Sequence, residues 1–188
     1  MRASLVLLAF LAAPALAAEV AGVKVEDRVK LGSGELVLNG AGLRTKAFFK
    51  VYVAGLYLAE KKTSASEVLA LPGAKRVSMR LMRELSAKQL TDALDEGIRD
   101  NTPAVEQESL KGRMGELIAI MSALDRAKEG DVIALDWLPG SGTRVVLNGE
   151  PRGGAIQGED FYRALLRIWL GDNPVSASLK KALLGQEG

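Results

Sequence analysis

The amino-acid sequence predicts an α+β domain in which one antiparallel sheet is covered on one face by a layer of helices. Short apolar or alternating runs, rich in β-branched and aromatic residues, dominate the first third of the chain. Helical periodicity dominates the middle, and strand signals return before a last pair of helical segments. This order of strands, helices, strands and helices describes an α+β domain.

The N-terminus has the pattern of a secretory signal peptide. Met1-Arg2 is followed by an apolar run at residues 5–11 and by small residues at 15–18. The apolar run is too short to span a membrane, and no later segment is long and apolar enough to do so. We therefore expect a cleaved signal peptide at residues 1–18, a single domain at residues 19–188, and a periplasmic or secreted location.

The composition removes several classes of chemistry. The chain contains no Cys and no His, so disulfides, thiolate nucleophiles, histidine bases and sites with Cys or His metal ligands are excluded. Its formal net charge is only +2, and Lys and Arg are spread along the sequence. We expect no metal, no cofactor and no nucleic-acid partner.

The predicted elements follow from local signals. Strands are expected at residues 20–25, 35–38 and 47–58, with turns at residues 32–34 and at Asn39-Gly40, and alternation predicts a further strand over 74–83. Helices are expected at residues 64–71, from a capping box at Ser86 to about residue 100, and after Thr102-Pro103. Residues 131–137 and 143–147 form a predicted hairpin, and two helices close the chain.

Arg44 and Tyr52 interrupt an apolar, glycine-punctuated stretch. An unbroken strand over residues 41–58 would be about 60 Å long, so the chain must turn inside it. A three-residue turn at residues 45–47 would pair Phe48 with Arg44 and place Tyr52 on the same face as Arg44. Without a turn the two side chains lie about 26 Å apart and are ordinary surface residues.

The same residues resemble the paired N-terminal motifs of the chalcone isomerase family. The motifs here are GAGLR at residues 40–44 and KVYVAGLYL at residues 50–58, with a weaker match at residues 169–176. The pattern is most similar to that of the bacterial, signal-peptide-bearing group. The resemblance implies an open-faced β-sandwich of chalcone isomerase type, with a ligand cleft between the sheet and the helices.

The resemblance also implies roles for individual residues. Arg44 matches the arginine that holds the flavonoid in the plant enzymes, whereas Tyr52 takes the place of their threonine. Three other polar positions of the enzymes fall at Leu85, Asp92 and Ile168, so most of their polar network is missing. Non-catalytic fatty-acid-binding relatives instead pair the arginine with a tyrosine to hold a carboxylate.

Two hypotheses of function follow, and a partner-binding protein with a vestigial cleft is a third. The first is a non-catalytic protein that binds a small or fatty carboxylate at Arg44 and Tyr52. The second is an isomerase or intramolecular lyase acting on an unsaturated carbonyl compound, with Arg44 stabilising the oxyanion. In both, the pattern assigns the following residues to an apolar pocket wall: Phe48, Val51, Met79, Leu117 and Trp169.

Overall fold

A computed structural model describes residues 18–124 and 126–186. The predicted signal peptide lies outside the described residues, except for Ala18. Within the described ranges, no helix is long and apolar enough to cross a membrane.

Among the residues that the structure describes, seven antiparallel strands form the main sheet, in the order β11-β10-β9-β6-β5-β4-β3. These strands are β3 (Arg28–Leu31), β4 (Gly34–Lys46), β5 (Phe49–Leu58), β6 (Lys75–Leu81), β9 (Val132–Leu138), β10 (Gly142–Leu147) and β11 (Glu150–Ile156). Two short ladders stand apart from the sheet, one formed by β1 (Ala18–Val20) and β2 (Val23–Val25), the other by β7 (Leu85–Ser86) and β8 (Arg126–Ala127).

The described part of the chain also contains five helices: α1 (Ala65–Ala70), α2 (Ala87–Asn101), α3 (Ala104–Ser122), α4 (Glu159–Leu170) and α5 (Ala177–Leu183). The predicted capping box at the start of α2 is confirmed, because Ser86 Oγ accepts from the Gln89 N–H while the Gln89 side chain accepts from the Ser86 N–H. The predicted α+β class with an antiparallel sheet under helices is confirmed as well.

Apolar side chains form two cores on opposite faces of the sheet. The larger core lies between the sheet and the helices, and α4 contributes eight buried residues to it, including Phe161 and Trp169. The smaller core lies on the outer face, where Val25 of β2 packs with Leu36, Val53 and Tyr57. The β1–β2 hairpin thus covers part of the face that the helices leave open.

Several predicted boundaries are wrong for identifiable reasons. Asn39-Gly40 is not a turn, because β4 continues through it with a bulge between Leu38 and Gly40. Asn39 is buried there, and its amide bonds the main chain of Lys62 and Leu183. The predicted strand at residues 20–25 is instead a hairpin that turns at Ala21-Gly22, where both φ angles are positive.

The glycines of the GAGLR motif allow α5 to approach β4 closely. A Cβ placed on Gly40 would lie 2.1 Å from the Ala182 carbonyl oxygen, and one on Gly42 would lie 2.7 Å from the Ala182 Cβ. A main-chain oxygen cannot rotate away as a side chain can, so any side chain at Gly40 must displace the helix. The motif glycines therefore have a packing role, and Gly42 fixes which face of β4 meets the helices.

We predict that Gly40→Ala destabilises the fold by about 1–3 kcal/mol, the usual cost of overpacking a well-packed interior. The matched control is Gly154→Ala on β11, because a Cβ there meets nothing within 4 Å, and its effect should stay within about 0.5 kcal/mol. Urea unfolding of both variants measures the difference. Equal stabilities of the two variants would show that the packing of α5 on β4 does not depend on Gly40.

Candidate functional site

The β4–β5 hairpin places Arg44 directly opposite Tyr52. A two-residue turn at Ala47-Phe48 joins the strands, so that Lys46 pairs with Phe49. A bulge between Arg44 and Thr45 then shifts the register by one residue. The predicted three-residue turn at residues 45–47 is therefore wrong, and so is the predicted pairing of Phe48 with Arg44.

Both side chains lie on the face of the sheet that meets the helices. Side chains alternate along a strand, so Tyr52 shares its face with Ala54 and Leu56, which belong to the core under the helices. Arg44 lies two residues after Gly42, whose Cα faces α5. Directly opposed residues of an antiparallel pair also share a face, with Cβ atoms about 4.5–5.5 Å apart.

A hydrogen bond from α4 fixes the Tyr52 hydroxyl. Trp169 Nε1 donates to Tyr52 Oη across 2.9 Å. An indole N–H can only donate, so the phenol oxygen must act as the acceptor and its own O–H proton remains available. Among residues 18–124 and 126–186, no group accepts a hydrogen bond from that O–H. Tyr52 is thus oriented by Trp169 and still holds one donor.

Arg44 contributes a cation that no carboxylate neutralises within the described ranges. Its Nη1 donates to the neighbouring Thr45 carbonyl, and the side chain is half-buried. A guanidinium carries five N–H donors, so most of its donors remain free for another acceptor. Arg44 and Tyr52 together present several hydrogen-bond donors and one positive charge.

Burial raises the pKa of Tyr52 above the ordinary value of 10.0. The hydrogen bond from Trp169 and the positive charge of Arg44 act in the opposite direction but do not cancel the cost of burying a phenolate. Tyr52 therefore stays a neutral phenol at physiological pH. In that state it is a hydrogen-bond donor and not a base.

The structure distributes the predicted wall residues unevenly. Trp169 contacts Tyr52, and Met79 lies on the same face as Tyr52, diagonal to it across β5 and β6. Met79 and Leu117 are buried in the larger core, whereas Val51 is the half-buried extra residue of the bulge. Phe48 must be corrected: it lies at the apex of the turn and is 100% exposed, so it lines no wall.

A polar groove on the outer face of the sheet was not predicted. It has a volume of about 420 Å³ and contains an ion pair in which Arg76 binds both oxygens of Asp136, at 2.5 and 2.6 Å. The alternation of residues 74–83 placed Arg76 on the solvent side correctly, but its partner lies on β9, sixty residues away. A smaller depression of about 270 Å³ lies beside α5.

Comparison with known proteins identifies the family and supports the fold. The family model described as chalcone isomerase-like matches residues 17–185. The chain belongs to the chalcone isomerase-like family. No curated protein matches the sequence. Among solved structures, the fold is similar to the crystal structure of a fatty-acid binding protein from Arabidopsis thaliana, with a TM-score of 0.67 and 15% identity over 87% of this chain and 92% of the other.

The three positions that the resemblance aligns with polar residues of the enzymes are Leu85, Asp92 and Ile168. Leu85 packs against the core and Ile168 is buried under α2, where it contacts Gly97. Asp92 is exposed and forms an ion pair with Lys88, 2.6 Å away. Arg44 and Tyr52 therefore form a pair of hydrogen-bond donors beside an apolar core.

We predict that none of the three tyrosines titrates near pH 10 in the folded protein. Burial is the largest cause at each: it raises the pKa of Tyr52 and of Tyr162, and it raises the pKa of Tyr57 to about 12. Each phenol has its lower pKa in the unfolded chain. The contribution of each phenol to the free energy of unfolding is therefore complete below pH 10. It is lost as the pH rises through the higher pKa of that phenol in the folded protein.

Phenolate absorbance, followed during alkaline titration of the native protein and of the protein in urea, tests this prediction. We expect normal titration in urea and delayed titration in the native state, with stability falling above pH 10. A native phenol that ionises at its ordinary pKa would contradict the burial of that tyrosine.

Proposed function

We propose that this protein is an exported, non-catalytic binding protein that holds a fatty or other small carboxylate at Arg44 and Tyr52. The observation that carries the proposal is the direct pairing of these residues on the helix-facing side of the sheet. There, Arg44 lacks a carboxylate partner within the described ranges, and Tyr52 keeps an unused O–H.

The chemistry of the pair matches a carboxylate. A guanidinium presents two parallel N–H donors that fit both carboxylate oxygens, and such charge-assisted bonds are about twice as strong as neutral ones. The Tyr52 hydroxyl oxygen already accepts a hydrogen bond from Trp169, so its O–H proton is free to act as a further donor. Apolar side chains next to the pair, such as Met79 and Trp169, suit a hydrocarbon chain.

Independent support comes from the family and from the fold. The similar solved structure is that of a fatty-acid binding protein. Export is supported by the charged, apolar and small-residue order of residues 1–18. These observations favour a binding protein that carries a lipid-like acid outside the cytoplasm.

The alternative, an isomerase acting on unsaturated carbonyl compounds, needs a group that transfers a proton beside Arg44. Tyr52 is the candidate, and its raised pKa makes it a weaker acid than a free phenol. We therefore assign Tyr52 to binding. A panel of chalcones and related compounds should show no turnover above the uncatalysed rate.

The first experiment is gentle purification followed by solvent extraction and mass spectrometry, which should recover a fatty or other organic acid. The second is titration with palmitate, monitored by tryptophan fluorescence because Trp169 is bonded to Tyr52. We predict that Arg44→Ala weakens palmitate binding by about 1.5–3 kcal/mol, the contribution of a hydrogen-bonded charge. Arg44→Lys should also bind poorly, because an ammonium cannot reproduce the planar fork.

The matched control is Arg144→Ala, which removes an exposed arginine from the outer face of the same sheet. Its palmitate affinity should equal that of the unmodified protein. Tyr52→Phe should lose about 0.5–1.5 kcal/mol, since a neutral donor contributes less than a charged one. Equal affinities for Arg44→Ala and Arg144→Ala would overturn the proposal.

A further inference from the structure

The tip of the β4–β5 hairpin exposes two adjacent aromatic rings. Within residues 18–124 and 126–186, three large hydrophobic side chains are exposed, namely Phe48, Phe49 and Val105. Phe48 is 100% exposed and Phe49 is 60% exposed. Val105 stands alone on the first turn of α3, whereas the two phenylalanines form one apolar apex.

Neither folding nor packing accounts for a phenylalanine at this apex. In the two-residue turn at Ala47-Phe48, the positive φ angle, 54°, belongs to Ala47. The backbone therefore sets no requirement for a phenylalanine at position 48. The Phe48 side chain is fully exposed and packs against no other part of the described chain.

Positive charges flank the apex on both faces of the hairpin. Lys46 pairs with Phe49 and Lys50 pairs with Thr45. Because consecutive positions point to opposite faces, the two ammonium groups lie on opposite sides of the ribbon. The Arg83 guanidinium adds a third cation, 4.9 Å from the centre of the Phe49 ring.

Acidic residues are missing from this part of the sequence. Residues 36–59 contain no Asp or Glu. In the described part of the chain, neither Lys46 nor Lys50 forms an ion pair, and Glu84, next to Arg83, is paired with Arg126 at 3.3 Å. The apex is therefore an apolar tip inside a ring of uncompensated positive charge.

An anionic lipid surface fits this arrangement better than a protein partner does. Two rings offer at most about 150–250 Å² each, well short of the roughly 1,000 Å² that a stable protein interface needs. Binding to a bilayer does not require so large a buried area, because an inserted aromatic tip and phosphate contacts to nearby cations act together. Charge complementarity points the same way.

We propose that the hairpin tip docks on the surface of an anionic phospholipid bilayer. Phe48 and Phe49 enter the boundary between headgroups and acyl chains, while Lys46, Lys50 and Arg83 contact lipid phosphates. The contact is peripheral and reversible, since it combines a small apolar insertion with a small basic patch. Arg44 and Tyr52 form the third ladder pair from the turn of the same hairpin, so docking brings the proposed carboxylate site near the membrane.

Vesicle co-sedimentation of the purified protein tests the proposal. Phosphatidylcholine vesicles containing phosphatidylglycerol should sediment the protein at low salt, whereas pure phosphatidylcholine vesicles should retain at least about tenfold less. High salt should release it, because the ionic contribution is screened. Phe48→Ser and the double variant Lys46→Gln/Lys50→Gln should each lower the partition coefficient at least about tenfold.

Val105→Ser is the matched control, because it removes an exposed hydrophobic residue that lies on α3 and outside the hairpin; it should bind vesicles like the unmodified protein. Thermal melts should show all variants folded, since the altered side chains are exposed. The proposal is overturned if the unmodified protein does not bind anionic vesicles, or if Phe48→Ser binds these vesicles as well as Val105→Ser does. Self-association through the tip without vesicle binding would also overturn it.

This proposal and the carboxylate proposal can fail separately. Vesicle binding is measured without added fatty acid, and palmitate binding is measured without vesicles. Loss of one result therefore leaves the other intact.

Discussion

The bulge between Arg44 and Thr45 sets the geometry on which the candidate site depends. It moves the register of the β4–β5 hairpin by one residue, and a shift of one residue changes which face a side chain occupies. With the bulge, Tyr52 lies opposite Arg44 and faces the helices. Trp169 of α4 can then donate to the Tyr52 hydroxyl and orient it.

The same strand explains why glycines and an arginine occur together in one motif. Gly40 and Gly42 bring α5 against β4, and Arg44 follows on the same face just beyond the helix contact. The Asn39 side chain adds hydrogen bonds to the main chain of Leu183 in α5 and of Lys62 after β5. The motif therefore combines a packing surface and a charge on one face of the same strand.

Local signals in the sequence predicted many of the helices and strands, but not the bulges and the strand register that depend on distant contacts. The α2 capping box and the alternation of β6 depend on neighbouring residues, so they could be read directly. The β11 strand was missed, because its sequence EPRGGAI has a proline and two glycines and no alternation. The Asn39-Gly40 bulge was read as a turn, since only its distant partners distinguish the two. Arg44 and Tyr52 were singled out because they interrupt an apolar stretch, and the resemblance then implied their roles. Their register depends on a bulge that no local pattern predicts.

The protonation of a bound fatty acid tests the central claim most directly. Nuclear magnetic resonance of palmitate labelled at its carboxyl carbon reports the pKa of that carboxyl group in the complex. If Arg44 binds it, the guanidinium stabilises the ionised form, and the bound carboxyl should titrate at a lower pH than in the complex with Arg44→Gln. Identical titration in the two complexes would contradict the assignment of Arg44 as the carboxylate ligand.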